Sequence, residues 1–340
     1  MTRKAGFAAT LAMMVSSATA ETRLMDYSDL HDWDRDDHTA ALTAFRETCN
    51  DLKDGDWPAI CALSDKQGDA KTFFETFFRP VLITDGDEPL FTGYYEPELA
   101  GSRTRSTEFN VPLHQRPDDA PSGPWLTREE LETSGVLEDR GLELVWLNNP
   151  VDKFFLQIQG SGRIKLDDGG SMRVGYGGKN GHPYRSVGQE LVRRGVFQEH
   201  QVSAQVIRNW VAENPEEGRK LLFHNPSYVF FRDVTEKVPV DKGPLGAMNR
   251  PITAGRSIAI DPEFIPLGAP VWVEKEGLSP FRRLTIAQDT GSAIKGAQRA
   301  DIFYGSGKDA GEEAGRVRDT GRLIVLLPIE DALTLLDREQ

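Results

Sequence analysis

From about Gly243 the chain is a succession of short β-forming runs: RSIAI, APVWVEK, RRLTIAQD, ADIFYG and GRLIVLLP. Turns rich in glycine and proline separate them. This spacing predicts a small barrel rather than a sheet built from βαβ units, whose parallel strands need a crossover of a dozen or more residues. One helix, over Asp309 to Arg318, is expected to interrupt the series. The feature limits this part of the chain to a mainly β fold with some α.

Upstream the texture differs. Ala41, Leu42, Phe45, Cys49 and Leu52 share one face of a helix capped by Asp36 or Asp37. A second helix is expected from Asp69 to Phe78, ending at Pro80. LFTGYYEPELAGSRTRS then carries too many turn residues for one long element. Thr127 and Glu130 form a capping box, as do Ser186 and Gln189, whose helix Gly195 ends. Ser203 to Asn214 reads as a further helix stopped by Pro215. LELVWL and FFLQIQGSGRI read as strands. Composition shifts place domain boundaries near Gly243 and, less sharply, near Ser102.

MTRKAGFAATLAMMVSSATAE has the organisation of a secretory signal. Arg3 and Lys4 precede a short apolar stretch, and Ala18-Thr19-Ala20 is a small-residue cleavage site. Cleavage is expected after Ala20, giving an exported, soluble protein. No cysteine stands near that point to carry a lipid anchor. Losing Arg3 and Lys4 leaves 38 basic residues against 53 acidic ones, so the net charge moves from -13 to -15. A chain this acidic repels polyanions, which argues against nucleic acid as a partner. In an oxidising compartment Cys49 and Cys61 are expected to form one disulfide, the alternative being two buried thiols.

Asp-Thr-Gly occurs twice, at Asp289 and Asp319, and is the signature of an aspartic protease. Such an enzyme needs two aspartates about 3 Å apart, one from each of two similar lobes. Only 30 residues separate these two, and Arg322 follows the second triplet. No lobe fits between them. The calcium-loop pattern at Asp32, Asp34 and Asp36 lacks its glycine and its final glutamate. His31, His38, His114, His182, His200 and His224 show no metal spacing. No G-x-S-x-G is present, and GYGGKNG lacks Walker spacing. No metal or organic cofactor is implied.

Asp261, Asp289 and Asp301 all lie in the barrel-like region. Asp301 sits among Ala300, Ile302, Phe303 and Tyr304, where burial would raise its pKa and suit it as a general acid. An aspartate bonded to backbone amides at a strand end is the equal alternative. Asp261, before Pro262, reads as a turn cap, and Asp289 as a residue that holds a turn or orients a neighbour. Tyr94 and Tyr95 offer rings for sugar stacking. Gln157 and Gln159, on one face of the expected strand, would form a polar wall with Gly160-Ser161-Gly162, or else a plain polar edge.

TGYYEP, FFLQIQGSGRI, VGYGGKNGHPYRSVG, NPSYVFF, GPLGAMNRPITAGRSIAIDP and QDTGSAIKGAQRADIFYG together resemble the membrane-bound lytic transglycosylase A (MltA) family, from about Leu90 to Pro328. The resemblance implies a double-psi β-barrel from residues 21–105 and 243–340, with a smaller β-domain, 106–242, inserted. It implies non-hydrolytic cleavage of the β-1,4 bond between N-acetylmuramic acid and N-acetylglucosamine in peptidoglycan, leaving a 1,6-anhydro end. The catalytic acid would be Asp301, supported by Asp289. Tyr94, Tyr95, Gln157, Gln159, Ser161 and Asn180 would line the glycan groove. The partner would be peptidoglycan glycan strands in the periplasm. A non-catalytic, expansin-like polysaccharide-binding barrel is the alternative from another class.

Overall fold

The computed structural model describes residues 20–66 and 68–337. All of the expected signal segment except Ala20 lies outside the described residues. After β1 (Glu21–Leu24) come three helices, α1 (His38–Cys49), α2 (Trp57–Ser64) and α3 (Ala70–Phe77). Asp37 caps α1 by accepting from the Ala40 N–H, and Asp69 caps α3 through Thr72. The apolar faces of all three join the barrel core. A disulfide joins Cys49, in the last turn of α1, to Cys61 in α2, with Cα atoms 5.5 Å apart.

The chain continues through β2 (Phe78–Thr84) and β3 (Leu90–Glu96), then leaves the barrel. The insert comprises β4 (Glu98–Ser102), β5 (Val111–His114), α4 (Arg128–Thr133), β6 (Glu143–Leu147), α5 (Pro150–Gln159), β7 (Gly162–Leu166), β8 (Ser171–Lys179), α6 (Val187–Arg193), α7 (Ala204–Glu213), α8 (Pro215–Phe223) and β9 (Val229–Asp233). The chain returns as β10 (Ser257–Ile260), β11 (Pro270–Lys275), β12 (Phe281–Thr290), β13 (Arg299–Ser306), α9 (Gly307–Ala314), β14 (Arg318–Asp319), β15 (Gly321–Pro328) and α10 (Ile329–Asp337).

Among the described residues the outer segments share one sheet, in the order β1-β2-β15-β11-β12-β10-β13-β3-β14. Parallel pairings of β10 with β12 and of β13 with β3 interrupt its antiparallel ladder. This sheet contains the nearly closed, six-stranded double-psi barrel. The insert forms a second sheet, β5-β6-β4-β7-β8-β9. Alternation along the barrel strands sorts the side chains. Ile258, Ile260, Ala300 and Ile302 point into the barrel core. Ala259 and Phe303 point outward and join Tyr94, Ile252 and Ile294 in a small outer cluster.

Three local expectations change. FFLQIQ is the body of α5, not a strand. Asn149 caps it at Val151 N–H, Pro150 occupies its first turn, and Gly160 ends it in the left-handed region at φ 79°. These end signals outweigh the β-propensity of the run. Gln157 and Gln159 therefore point about 200° apart around an axis instead of sharing a face. The first crossover lies at Pro97, upstream of residue 105, because Glu98–Ser102 pairs with β6 and β7 in the second sheet. Pro215 does not simply stop a helix: Asn214 ends α7 and caps α8, with Pro215 in the first turn.

Candidate active site

Four neighbouring strands bring four residues into one row. Ala259 of β10 is in register with Asp289 of β12 on one side and with Asp301 of β13 on the other. Asp301 is in turn paired with Thr92 of β3. At the usual strand spacing, the backbones of Asp289 and Asp301 lie two strands, or about 10 Å, apart. The single methyl of Ala259 between them leaves the outer face open for both carboxyl groups.

The two carboxyls have different partners. Asp289 Oδ1 accepts from the backbone N–H groups of Ala247 (3.0 Å) and Thr290 (2.9 Å), and its Oδ2 accepts from the Tyr94 hydroxyl (2.9 Å). Asp301 Oδ1 accepts from the Thr92 hydroxyl at 2.8 Å. Thr92 can donate there because its own oxygen accepts from Arg299 at 2.8 Å. Each aspartate keeps part of its surface open while protein surrounds the rest. Burial pushes both pKa values up to about 6, against the opposing hydrogen bonds. The hydrogen-bond pattern divides the roles. Three donors favour a carboxylate at Asp289, whereas Asp301 has one donor on Oδ1 and can carry a proton on Oδ2.

Asp261 does different work. It is buried and accepts from Lys295 Nζ and Gly296 N–H, both at 3.0 Å. Its backbone oxygen accepts from Phe264 and Ile265. It holds a turn and anchors the loop that brings Ile294 over the outer cluster. Burial would raise its pKa, but these donors hold it below the ordinary aspartate value. Asp319, the second Asp-Thr-Gly aspartate, is bonded to the buried Lys275 ammonium at 2.7 Å. It has a structural partner rather than a protease partner.

The expected groove residues divide. Tyr94 is buried, with its ring 5.2 Å from that of Phe303 and its hydroxyl on Asp289, so it positions a carboxyl and offers no stacking face. Gln157 is buried and bonded to Arg128 and to Val229 O. Asn180 is buried too: its amide donates to Leu126 O and Pro226 O and accepts from Tyr228 N–H. Both amides staple the insert together. They are not a groove wall, because their hydrogen-bonding groups are already used within the protein.

Tyr95, Gln159 and Ser161 lie where insert and barrel meet. Gln159 Oε1 accepts from Tyr95 N–H at 3.0 Å, linking α5 to β3. Ser161 follows in the buried turn between α5 and β7. The same seam holds Glu96, which is fully buried. It takes a two-pronged bond from Arg173 (2.7 Å each), one from Arg163 (2.8 Å) and one from the Ser306 hydroxyl (2.7 Å). Both arginines also donate to Lys242 O on the returning connection. One carboxylate thus fixes the outgoing chain, the returning chain and the end of the strand that carries Asp301.

Thr92, Arg299 and Glu96 went unnoticed in the sequence. Thr92 was accessible: it stands two residues before Tyr94, hence on the same strand face. Among the described residues no group of His, Cys, Asp and Glu could hold a metal ion, and no helix is long and apolar enough to cross a membrane.

Comparison with known proteins identifies the family. Residues 90–232 match the MltA specific insert domain, and residues 256–327 match the 3D domain. Membrane-bound lytic murein transglycosylase A of Escherichia coli K12 is 38% identical over 247 residues, covering 69% of this chain and 65% of that protein. The crystal structure of MltA from Neisseria gonorrhoeae superposes with a TM-score of 0.79 at 33% identity, covering 91% of this chain and 93% of the other. E. coli MltA solved with bound chitohexaose superposes with a TM-score of 0.69 at 31% identity, covering 86% and 89%. The chain belongs to the family of membrane-bound lytic murein transglycosylase A.

Proposed function

We propose that this protein is a periplasmic lytic transglycosylase that cleaves the MurNAc–GlcNAc bond of peptidoglycan with one carboxyl group, Asp301. The observation that carries the reading is the contrast between the two aspartates: one has both oxygens engaged by donors, the other has an oxygen free to hold a proton. The relative solved with bound chitohexaose supports a glycan as ligand.

Glycosidases that use water pair two carboxyls across the scissile bond. A muramic acid residue supplies its own nucleophile, the C6 hydroxyl, and intramolecular attack has a large proximity advantage. Asp301 Oδ2 protonates the leaving O4 as the C1–O4 bond breaks. O6 then bonds to C1, and its proton passes to the Asp301 carboxylate. The acid is restored and no water is consumed. Asp289, held by Tyr94, stays ionised beside the centre where positive charge develops at C1. Tyr95 and Gln159, backed by the turn that carries Ser161, form the wall the glycan passes.

Mass spectrometry of purified peptidoglycan digested in H₂¹⁸O tests this. Anhydromuramic ends without ¹⁸O are expected. Reducing ends carrying ¹⁸O would mean hydrolysis and require a second working carboxyl. Glycan retained without new ends would favour the non-catalytic, expansin-like reading.

A further inference from the structure

The insert contains a cavity of about 1410 Å³ away from the aspartates, between the β5–β6 edge and α4, α5, α7 and α8. Its wall carries two buried cations, while the carboxylates Glu138, Asp139 and Glu143 line it at less buried positions. The side chains of Arg128 and Lys153 are only 3% and 7% exposed, and Glu132 lies 3.4 and 3.3 Å from them. His114, also on the wall, adds no charge, because burial pushes its pKa down to about 3. Arg219 on α8 adds a further cation at the rim.

The guanidinium of Arg128 is committed to Gln157, Asn225 O and Ser227 O. Lys153 is differently placed. Its ammonium has Glu132 at 3.3 Å and lies 5.0 Å over the Tyr228 ring. Two buried cations thus share the one carboxylate of Glu132, so an anion entering this cavity would meet a local excess of positive charge.

Helix α5 connects the cavity to the seam. Asn149, Pro150, Val151, Lys153 and Phe154 line the cavity, and Gln159, at the other end, holds Tyr95. Ten helical residues span about 15 Å. The substrate class proposed above carries short acidic peptides on its muramic acid residues, and four extended residues reach about 14 Å. We propose that the cavity binds the carboxylates of such a stem peptide, Lys153 and Arg219 being its cationic contacts, while the glycan lies at Asp301. The proposal rests on the transglycosylase reading.

Two measurements test it separately from that reading. Calorimetry with the free stem tetrapeptide should show binding to the wild type and at least about tenfold weaker binding to Lys153→Gln, the size of one lost charged contact. Steady-state cleavage of stem-bearing strands and of strands stripped of peptide should show a lower KM for the former. In Lys153→Gln and Arg219→Ala the ratio of the two KM values should move toward one. Arg219 is exposed, so its variant decides the matter if the Lys153 variant fails to fold. No tetrapeptide binding with equal KM values in the wild type would overturn the stem site and leave the reaction standing. Tetrapeptide binding without anhydro products from either substrate would support the cavity as a peptide site but sink the transglycosylase reading.

Discussion

The Thr92 hydroxyl donates to Asp301 Oδ1 at 2.8 Å because Arg299 has already taken the Thr92 oxygen. This fixes the rotor and leaves Oδ2 free for the proton that the proposed mechanism requires. The hydrogen bond stabilises the carboxylate and so lowers a pKa that burial raises to about 6. In the proposed mechanism the active form is the acid, so kcat/KM should fall as pH rises through that value. In Thr92→Val the alkaline limb should move to higher pH, by up to about one unit for one lost hydrogen bond to a charged group. A pH profile of kcat/KM checks this; an unmoved limb would detach Thr92 from the acid.

The two aspartates should respond oppositely to amidation. A carboxyl whose folded pKa lies above its unfolded value binds more protons when folded, so stability falls as pH rises from about 4 to about 6. Asp301→Asn removes that penalty and should stabilise the protein at pH 7.5 by about 1 kcal/mol, after allowing for its partly open surface, and by nothing at pH 3.5. Asp289→Asn removes a similar penalty, but an amide NH₂ facing donors from Tyr94 or from Ala247 and Thr290 costs about 1–3 kcal/mol, so the net change at pH 7.5 should be a destabilisation. Urea unfolding at the two pH values measures both.

Buried Glu96 neutralises the buried Arg173 and the partly exposed Arg163. Its truncation to alanine should cost about 3–5 kcal/mol, since two cations would lose a buried partner. Because Glu96 also holds Ser306 beyond Asp301, kcat should fall in the folded fraction as well. Denaturation combined with active-site-normalised kcat would reveal a purely structural role as a stability loss at unchanged kcat.

Gly93 lies between Thr92 and Tyr94 where α9 crosses β3. A Cβ there would meet the Ala314 backbone at 2.7 and 2.8 Å and the Tyr304 ring at 2.9 Å. Gly93→Ala should therefore destabilise by about 1–3 kcal/mol through overpacking. Thermal unfolding reads the cost, and a neutral result would mean that α9 can shift.

The barrel was legible because each of its short strands alternates around one core, and Asp301 stood out as the charge in an apolar strand. The α4 cap at Thr127 was legible as well, and that of α1 was narrowed to Asp36 or Asp37, of which Asp37 serves, because such caps act on residues three positions away. What sequence could not supply was pairing between distant strands. Tyr94 reads as a stacking ring until β3 is known to lie beside β13, which buries it against Phe303. Gln157 and Asn180 read as free amides until Arg128 and the backbone of residues 226–229 arrive from far along the chain. Glu96 is one carboxylate among many until both chain crossings meet on it.

The most direct test compares Asp301→Asn with Asp289→Asn on purified peptidoglycan, with anhydromuramic products counted by mass spectrometry. The structure predicts none above background from the Asp301 variant. It predicts reduced but measurable formation from the folded Asp289 variant, because in the proposed mechanism that residue supports and does not transfer the proton. Anhydro products from Asp301→Asn at a rate near that of the wild type would contradict the assignment of the acid.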